Sequence, residues 1–348
     1  MEPIITLEHV SKEFKVLNRS TGLKGSIKDL FSRDYRIVKA VNDISMEVYP
    51  GEIVGYLGPN GAGKSTTIKM MTGVLEPSAG HIIVQGAIPY KNRTQNAENI
   101  GVVFGQRSQL WWDLPLIESF KLLKDIYQID EKQYQDMIAL YEELVDIKKL
   151  YSKPVRQMSL GQRTLSDILA AFLHNPGVVF LDEPTIGLDV SMKSKIRDLI
   201  KALNQEKNTT VILTTHDMGD VDALCRRIVI IDKGTMLYDN SIDNLRSFFG
   251  AYRTMKLRFA KDGNELTEEK LNQLAAELTQ DLSQKYPQVD SLQVSVEEDW
   301  IDVLLNEDEI PLMKVMNHIQ ESRRIYDVKL QEISTESVIK KIYEGKMK

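Results

Sequence analysis

Gly58-Pro59-Asn60-Gly61-Ala62-Gly63-Lys64-Ser65-Thr66 is the stretch on which the reading of this chain turns. It follows an apolar run, Glu52–Leu57, and opens a helical pattern from Lys64 to about Val74. The pattern G-x-x-x-x-G-K-[ST] between a strand and a helix is a phosphate-binding loop. A triphosphate is held by converging backbone N–H groups, so side chains must be missing where the chain wraps it. Gly58, Gly61 and Gly63 supply that freedom. The helix N-terminus adds partial positive charge beneath the phosphates. Lys64 is expected to reach the β and γ oxygens and the Ser65 hydroxyl to ligand Mg²⁺. Asn60 and Thr66 count with them as nucleotide-binding residues.

Further along, Val178-Val-Phe-Leu-Asp182-Glu183-Pro-Thr185 ends a buried strand in two carboxylates. An acid delivered at the C-terminal end of an apolar strand suits a metal site beside the phosphate loop. Asp182 is expected to hold Mg²⁺, through water, and Glu183 to polarise the water that attacks the γ-phosphate. Taken alone, the pair reads as readily as a solvated strand end. The loop upstream tips the balance toward chemistry. No His or Cys cluster at ligand spacing supports a metal hydrolase instead.

The bulk numbers restrict the rest. A chain of 348 residues exceeds the usual size of one hydrophobic core, which makes two domains the better expectation. A net charge of -6 gives no sign of a nucleic-acid partner. Cys225 is the single cysteine, so no intramolecular disulfide can form, as suits a reducing compartment. The opening MEPIITLEHVSKEF lacks the basic and apolar regions of a secretory signal. No apolar run approaches the roughly 20 residues that span a bilayer, so a transport role needs a second polypeptide.

Strands are expected at Ile4–Phe14, Ile44–Val48, Glu52–Leu57, Ile82–Gln85, Val102–Phe104, Val178–Asp182, Thr210–Thr214 and Ile228–Asp232, with helical periodicity between Phe120 and Leu150. That alternation argues for an α/β core with a helical insert at about residues 107–176. The pattern changes near Gly250. Residues 1–248 are expected to form the nucleotide-binding domain and 251–348 an accessory domain. The latter reads as strand, helix, two strands, helix, strand, then a last helix from Thr335, an order that resembles the split β-α-β unit of ferredoxin-like domains.

Five further matches resemble the ATP-binding cassette (ABC) family, and together they cover nearly all of residues 1–245. Met158-Ser159-Leu160-Gly161-Gln162 resembles the signature LSGGQ, and Gln106 falls where the family has its Q-loop glutamine. Gly187-Leu188-Asp189 resembles the D-loop, His216 in TTHD the switch histidine, and Tyr35 the aromatic that stacks on adenine. The resemblance implies a P-loop NTPase cassette with a mixed sheet and a helical subdomain. It implies ATP as substrate with Mg²⁺, and two chains sandwiching two nucleotides head to tail. Ser159, Gly161, Gln162 and Asp189 would then serve ATP held by the partner. Glu183, His216 and Gln106 would be catalytic, with Gln106 also sensing Mg²⁺. One departure stands out: Leu160 occupies a position where the family has glycine.

GQRSQLWWDLP (Gly105–Pro115), SLGQR and LDEPTIGLDVSM resemble a bacterial export subgroup that includes daunorubicin-type and viologen exporters. In that subgroup two ATPase copies, a homodimer or a paired ATPase, serve separate integral-membrane permease subunits at the cytoplasmic face of the cell membrane. Trp111 and Trp112 follow the Q-loop as candidate coupling anchors, with packing onto the helical subdomain as the plainer account. The insertion Lys15–Asp34 carries Leu23, Ile27, Leu30 and Phe31 beside Lys24, Lys28 and Arg33. A short helix packed on its own domain is expected there, with contact to permease or lipid as the alternative. A non-transport ABC ATPase and an ATP-dependent switch are the competing functions. The presence of both Glu183 and His216 argues against a switch without hydrolysis.

Overall fold

The computed structural model describes residues 2–17, 35–105, 108–248, 251–259, 266–289, 291–332 and 335–343. The chain divides into two compact units, Met1–Ile242 and Asp243–Lys348. In chain order the strands of the first are β1 (Ile5–Leu17), β2 (Tyr35–Val48), β3 (Ile53–Leu57), β4 (Ala79–Val84), β5 (Ile100–Phe104), β6 (Val178–Asp182), β7 (Thr210–Thr214), β8 (Arg227–Asp232) and β9 (Thr235–Ser241). They form two sheets. One has three strands in the order β2-β1-β4, and its neighbours are antiparallel. The other has six, ordered β5-β6-β7-β3-β8-β9, parallel except for the β8–β9 pair.

The parallel strands explain why the apolar runs are unbroken. Val178–Leu181 and Thr210–Thr214 are buried along their length, as happens when helices cover both faces of a sheet. Ile5, Leu7 and Val10 of β1 share one core with Val54 and Tyr56 of β3 and with Ile68, Met70 and Met71 of the helix Lys64–Met71. The phosphate-loop helix is thereby packed between the two sheets. The helical insert comprises Leu116–Ile126, Glu131–Leu144 and Leu160–Phe172, with two short 3₁₀ turns at Ile147–Leu150 and Val155–Gln157. Gln128, in the left-handed region (φ 51), and the Asp130 cap break the long periodic stretch into two helices.

β1 and β2 run further than their alternation indicated. Lys15 pairs with Ile37 and Leu17 with Tyr35, which makes a two-stranded ribbon beyond the edge of β4. Lys15–Leu17 of the expected insertion are therefore strand, and its residues 18–34 lie outside the described residues.

The second unit contains β10 (Tyr252–Arg258), β11 (Gln293–Glu297), β12 (Trp300–Asn306) and β13 (Asp327–Glu332), in the sheet order β11-β12-β10-β13 with every pair antiparallel. Helices Glu268–Lys285 and Leu312–Ser322 follow β10 and β12. This is the connectivity of the split β-α-β unit. Leu271, Leu278, Val315 and Ile319 of those helices pack on Met255, Leu257, Ile301, Val303 and Leu305. Among the described residues no helix is long and apolar enough to cross a membrane.

Candidate active site

Sheet order brings the site together. β7 lies between β6 and β3, so the end of β7 separates Asp182 from the phosphate loop. Phe104, Asp182 and Thr214 are in register across β5, β6 and β7. All three strands are parallel, and their C-terminal ends open into the crevice where ligands of such sheets bind.

The phosphate loop leaves β3 at Leu57 and turns into the helix at Gly63, whose φ of 108° no side chain adopts readily. A Cβ on Gly63 would also stand 2.4 Å from the Ala40 carbonyl oxygen, and one on Gly58 2.6 Å from that of Ile231. These two glycines are required by the fold around them. Gly61, at φ 82°, has open space where its Cβ would be, as a loop that must admit a ligand needs. Asn60 and Ser65 are exposed at the same rim.

Lys64 is 7% exposed. Its Nζ donates to the carbonyls of Gly58 (2.6 Å) and Pro59 (3.3 Å) and lies 3.5 Å from His216 Nε2. Burial lowers the pKa of this ammonium, while the Glu183 and Asp182 carboxylates pull it back up.

Asp182 accepts from Thr214 Oγ1 at 2.5 Å and faces the Ser65 hydroxyl at 3.5 Å. Glu183, next along, takes a left-handed φ of 54°. Its N–H is shared between the Thr214 carbonyl (3.0 Å) and hydroxyl (3.1 Å). That strained turn swings the carboxylate toward the switch loop, where Oε1 meets His216 Nε2 at 2.8 Å. Lys64, Ser65, Asp182, Glu183 and His216, far apart in sequence, thus form one cluster.

The signature segment is separate. Ser159 caps the helix Leu160–Phe172 with a full capping box. Gln162 N–H donates to its hydroxyl (3.3 Å), and the Gln162 side chain accepts from its N–H (3.2 Å) and from Lys153 Nζ (2.9 Å). A Cβ on Gly161 would stand 2.6 Å from Met192 Cγ. The unexpected Leu160 side chain lies 3.3 Å from where a Cβ on Gly187 would be, so it packs against the D-loop turn of its own chain. Asp189 caps the helix Val190–Lys207 through Met192 N–H (3.0 Å). Among the described residues, no hydrogen bond or ion pair joins Ser159, Gly161, Gln162 or Asp189 to the cluster around Lys64.

Tyr35 begins β2 and is 48% exposed, on the strand whose Ala40 carbonyl approaches Gly63. Gln106 lies outside the described residues. Trp111 and Trp112 are 37% and 52% exposed, and the Arg163 guanidinium sits 5.5 Å from the Trp112 ring centroid. Thr214 carries more of the site than the sequence suggested. The available signal was a polar residue ending the buried run TVILT, in line with Asp182.

A strand-loop-helix phosphate cradle, with two carboxylates and a histidine on neighbouring strand ends, defines a P-loop nucleoside-triphosphatase. The comparisons with known proteins narrow the class. A family model described as ABC transporter matches residues 41–186. The ABC transporter ATP-binding protein NatA of Bacillus subtilis is 32% identical over 215 residues, 62% of this chain and 87% of NatA. The linearmycin resistance ATP-binding protein LnrL of the same organism is 34% identical over 217 residues, 62% of this chain and 69% of LnrL. The ATP-binding cassette MJ0796, solved as a dimer in a post-hydrolysis state with ADP and Pi, shares the fold. Its TM-score is 0.56 at 23% identity, over 68% of this chain and 98% of that one. The chain belongs to the ATP-binding proteins of ABC transporters, and it is an ATPase of that family.

Proposed function

We propose that this ATPase drives export of a solute through separate integral-membrane permease subunits, working at the cytoplasmic face of the cell membrane as a head-to-tail pair. In this reading Tyr35, Gly58, Asn60, Gly61, Gly63, Lys64, Ser65 and Thr66 hold the nucleotide. Ser159, Gly161, Gln162 and Asp189 belong to the site of the second copy. The observation that carries it is the 2.8 Å approach of His216 Nε2 to Glu183 Oε1 at the rim of the phosphate loop. A carboxylate held there can accept a proton from an attacking water, while the imidazole orients water and γ-phosphate. Pairing is supported by the separation of the signature residues from the Lys64 cluster, since they would otherwise serve no phosphate. The dimeric state of MJ0796 is consistent with this.

Ser65 Oγ and Asp182 Oδ2, 3.5 Å apart, are hard oxygen donors beside the phosphate loop and fit Mg²⁺. Among the described residues no group of three or more His, Cys, Asp or Glu side chains forms a metal cage. These two would therefore share the ion with water and phosphate, with Gln106 as the remaining candidate ligand. When bound, the ion neutralises phosphate charge. Export direction is supported by the resemblance to drug-exporter ATPases and by the resistance role printed for LnrL.

Glu183→Gln tests the catalytic assignment. Phosphate release should fall about 100-fold or more, while ATP binding persists and the chain elutes as an ATP-bound dimer. An unchanged rate would remove the general-base role.

A further inference from the structure

Asp220 is fully buried, yet it touches three segments that bear on hydrolysis. Its Oδ2 accepts from Thr185 Oγ1 (2.5 Å), two residues after Glu183, and from Thr215 Oγ1 (2.7 Å), immediately before His216. Its Oδ1 accepts from Arg197 Nε (2.6 Å), on the helix capped by Asp189. Arg197 also donates to Asp217 Oδ1 (3.1 Å), and Lys193, one turn earlier, donates to Asp217 Oδ2 (2.5 Å). Asp217 in turn accepts from Gly219 N–H (2.8 Å).

Gly219 is part of the same device. A Cβ there would stand 2.9 Å from the Arg197 guanidinium and 2.9 Å from Asp217 Oδ1. A side chain there would have to displace one of these groups, so the glycine leaves room for Arg197 against the switch loop. A carboxylate without solvent contact persists only when its oxygens are fully engaged, and breaking one partner of such a set costs heavily. The set does more than satisfy a charge, because its donors come from two loops and a helix.

We infer that Asp220 and Arg197 are a positioning pair that fixes His216 against Glu183 and ties both to the helix begun at Asp189. The inference rests on the reading in which Glu183 and His216 serve hydrolysis and Asp189 faces a second copy. The Thr185 bond fixes the loop that carries Glu183, and the Thr215 bond fixes the loop that carries His216. Through Arg197 and Lys193, a shift at the start of the Asp189 helix changes the His216–Glu183 distance. Pairing of two chains is in this way sensed at the attacking water.

The test uses the full chain and steady-state phosphate release. Asp220→Asn keeps the shape and an acceptor but removes the charge that holds Arg197. The kcat should fall 10- to 100-fold, with KM for ATP within twofold, because no group that grips the phosphates is altered. In a His216→Ala background the same change should cost at least threefold less than in the parent, since one of the two groups it positions is gone. Thr215→Val, which deletes one hydroxyl at nearly constant volume, should lower kcat 3- to 10-fold and serves where Asp220→Asn lowers the folded yield. Arg197→Lys should restore part of the rate lost in Arg197→Gln.

An unchanged kcat in folded Asp220→Asn and Thr215→Val chains would overturn the inference. So would losses that multiply in the His216→Ala background, because Asp220 would then act elsewhere. A His216→Ala chain that turns over ATP at the full rate would overturn both the reading of His216 and this inference. An impaired His216→Ala chain with multiplying losses sinks the inference alone.

Discussion

The two ends of the parallel sheet both carry polar residues and use them in opposite ways. At the C-terminal ends of β3, β6 and β7, polar groups converge on open space. Ser65 and Asn60 are exposed there, and Gly61 has nothing within reach of a Cβ. At the N-terminal ends, polar groups satisfy one another. Asn204 Nδ2 donates to the carbonyls of Gly51 (2.9 Å) and Thr209 (2.7 Å), and Gly51 N–H donates to Thr210 Oγ1 (2.9 Å). Arg227 is paired with Asp239 at 2.7 Å and with Glu52 at 3.3 Å. One end gathers polar groups around open space and the other pairs them with one another. Function and stability are therefore separable by position on the same strands.

Lys64→Ala should break the comparison most visibly. The ammonium stays largely buried against Gly58 and Pro59, and in the proposed function its counter-charge is a phosphate. Removing a preorganised donor aimed at developing charge costs on the order of 100-fold or more in turnover. Phosphate release and binding of a fluorescent ATP analogue should both collapse, with melting temperature little changed. Turnover within threefold of the parent would mean that the cluster around Lys64 is not the working site.

Asn204→Ala probes the other end. It strands two carbonyls in a half-buried position, which should cost about 1–2 kcal/mol and lower the melting temperature by a few degrees. Turnover per folded molecule should stay within twofold. A large loss of rate without loss of stability would contradict the division of labour between the two ends.

How much of this could be read in advance follows from burial. Val178–Asp182 and Thr210–Thr214 were legible to the residue, because strands buried on both faces leave an apolar run with sharp limits. The second unit was legible too, since Met255 and Leu257, and Ile301, Val303 and Leu305, keep a period of two. β9 was not, because this sheet-edge strand is half exposed along its length and shows no alternation. The outer half of the β1–β2 ribbon was missed for the same reason. The helix Arg93–Asn99 buries only Asn96 and carries no apolar stripe at all.

The cluster of Lys64, Ser65, Asp182, Glu183 and His216 was visible as separate motifs, since loop chemistry constrains residue type at each. Asp220 and Arg197 were not. Their partners are set by how two helices and two loops meet, and an Asp three residues after another Asp announces nothing. Asp167 escaped notice in the same way.

Asp167 offers the finest probe, away from both sheet ends. It lies buried in the signature helix, where one oxygen accepts from Ser108 Oγ (2.8 Å) and Gln109 N–H (3.1 Å), just beyond the Q-loop. Burial pushes its pKa up to about 6, against the lowering effect of those hydrogen bonds and of Arg163. A carboxyl group whose folded pKa is raised binds its proton more tightly in the folded state. Its contribution to stability is full below about pH 4 and is lost as pH rises through about 6. Asp167→Asn keeps the accepting oxygen and removes the charge. At pH 8 the variant should be more stable than the parent by about 1 kcal/mol, once the cost of seating the amide nitrogen is deducted. The gap should close between pH 6 and pH 4, as the parent becomes neutral at this position. Denaturation followed at pH 8, 6 and 4.5 measures it. A difference that did not vary with pH would show that the fold binds the Asp167 proton no more tightly than the unfolded chain does.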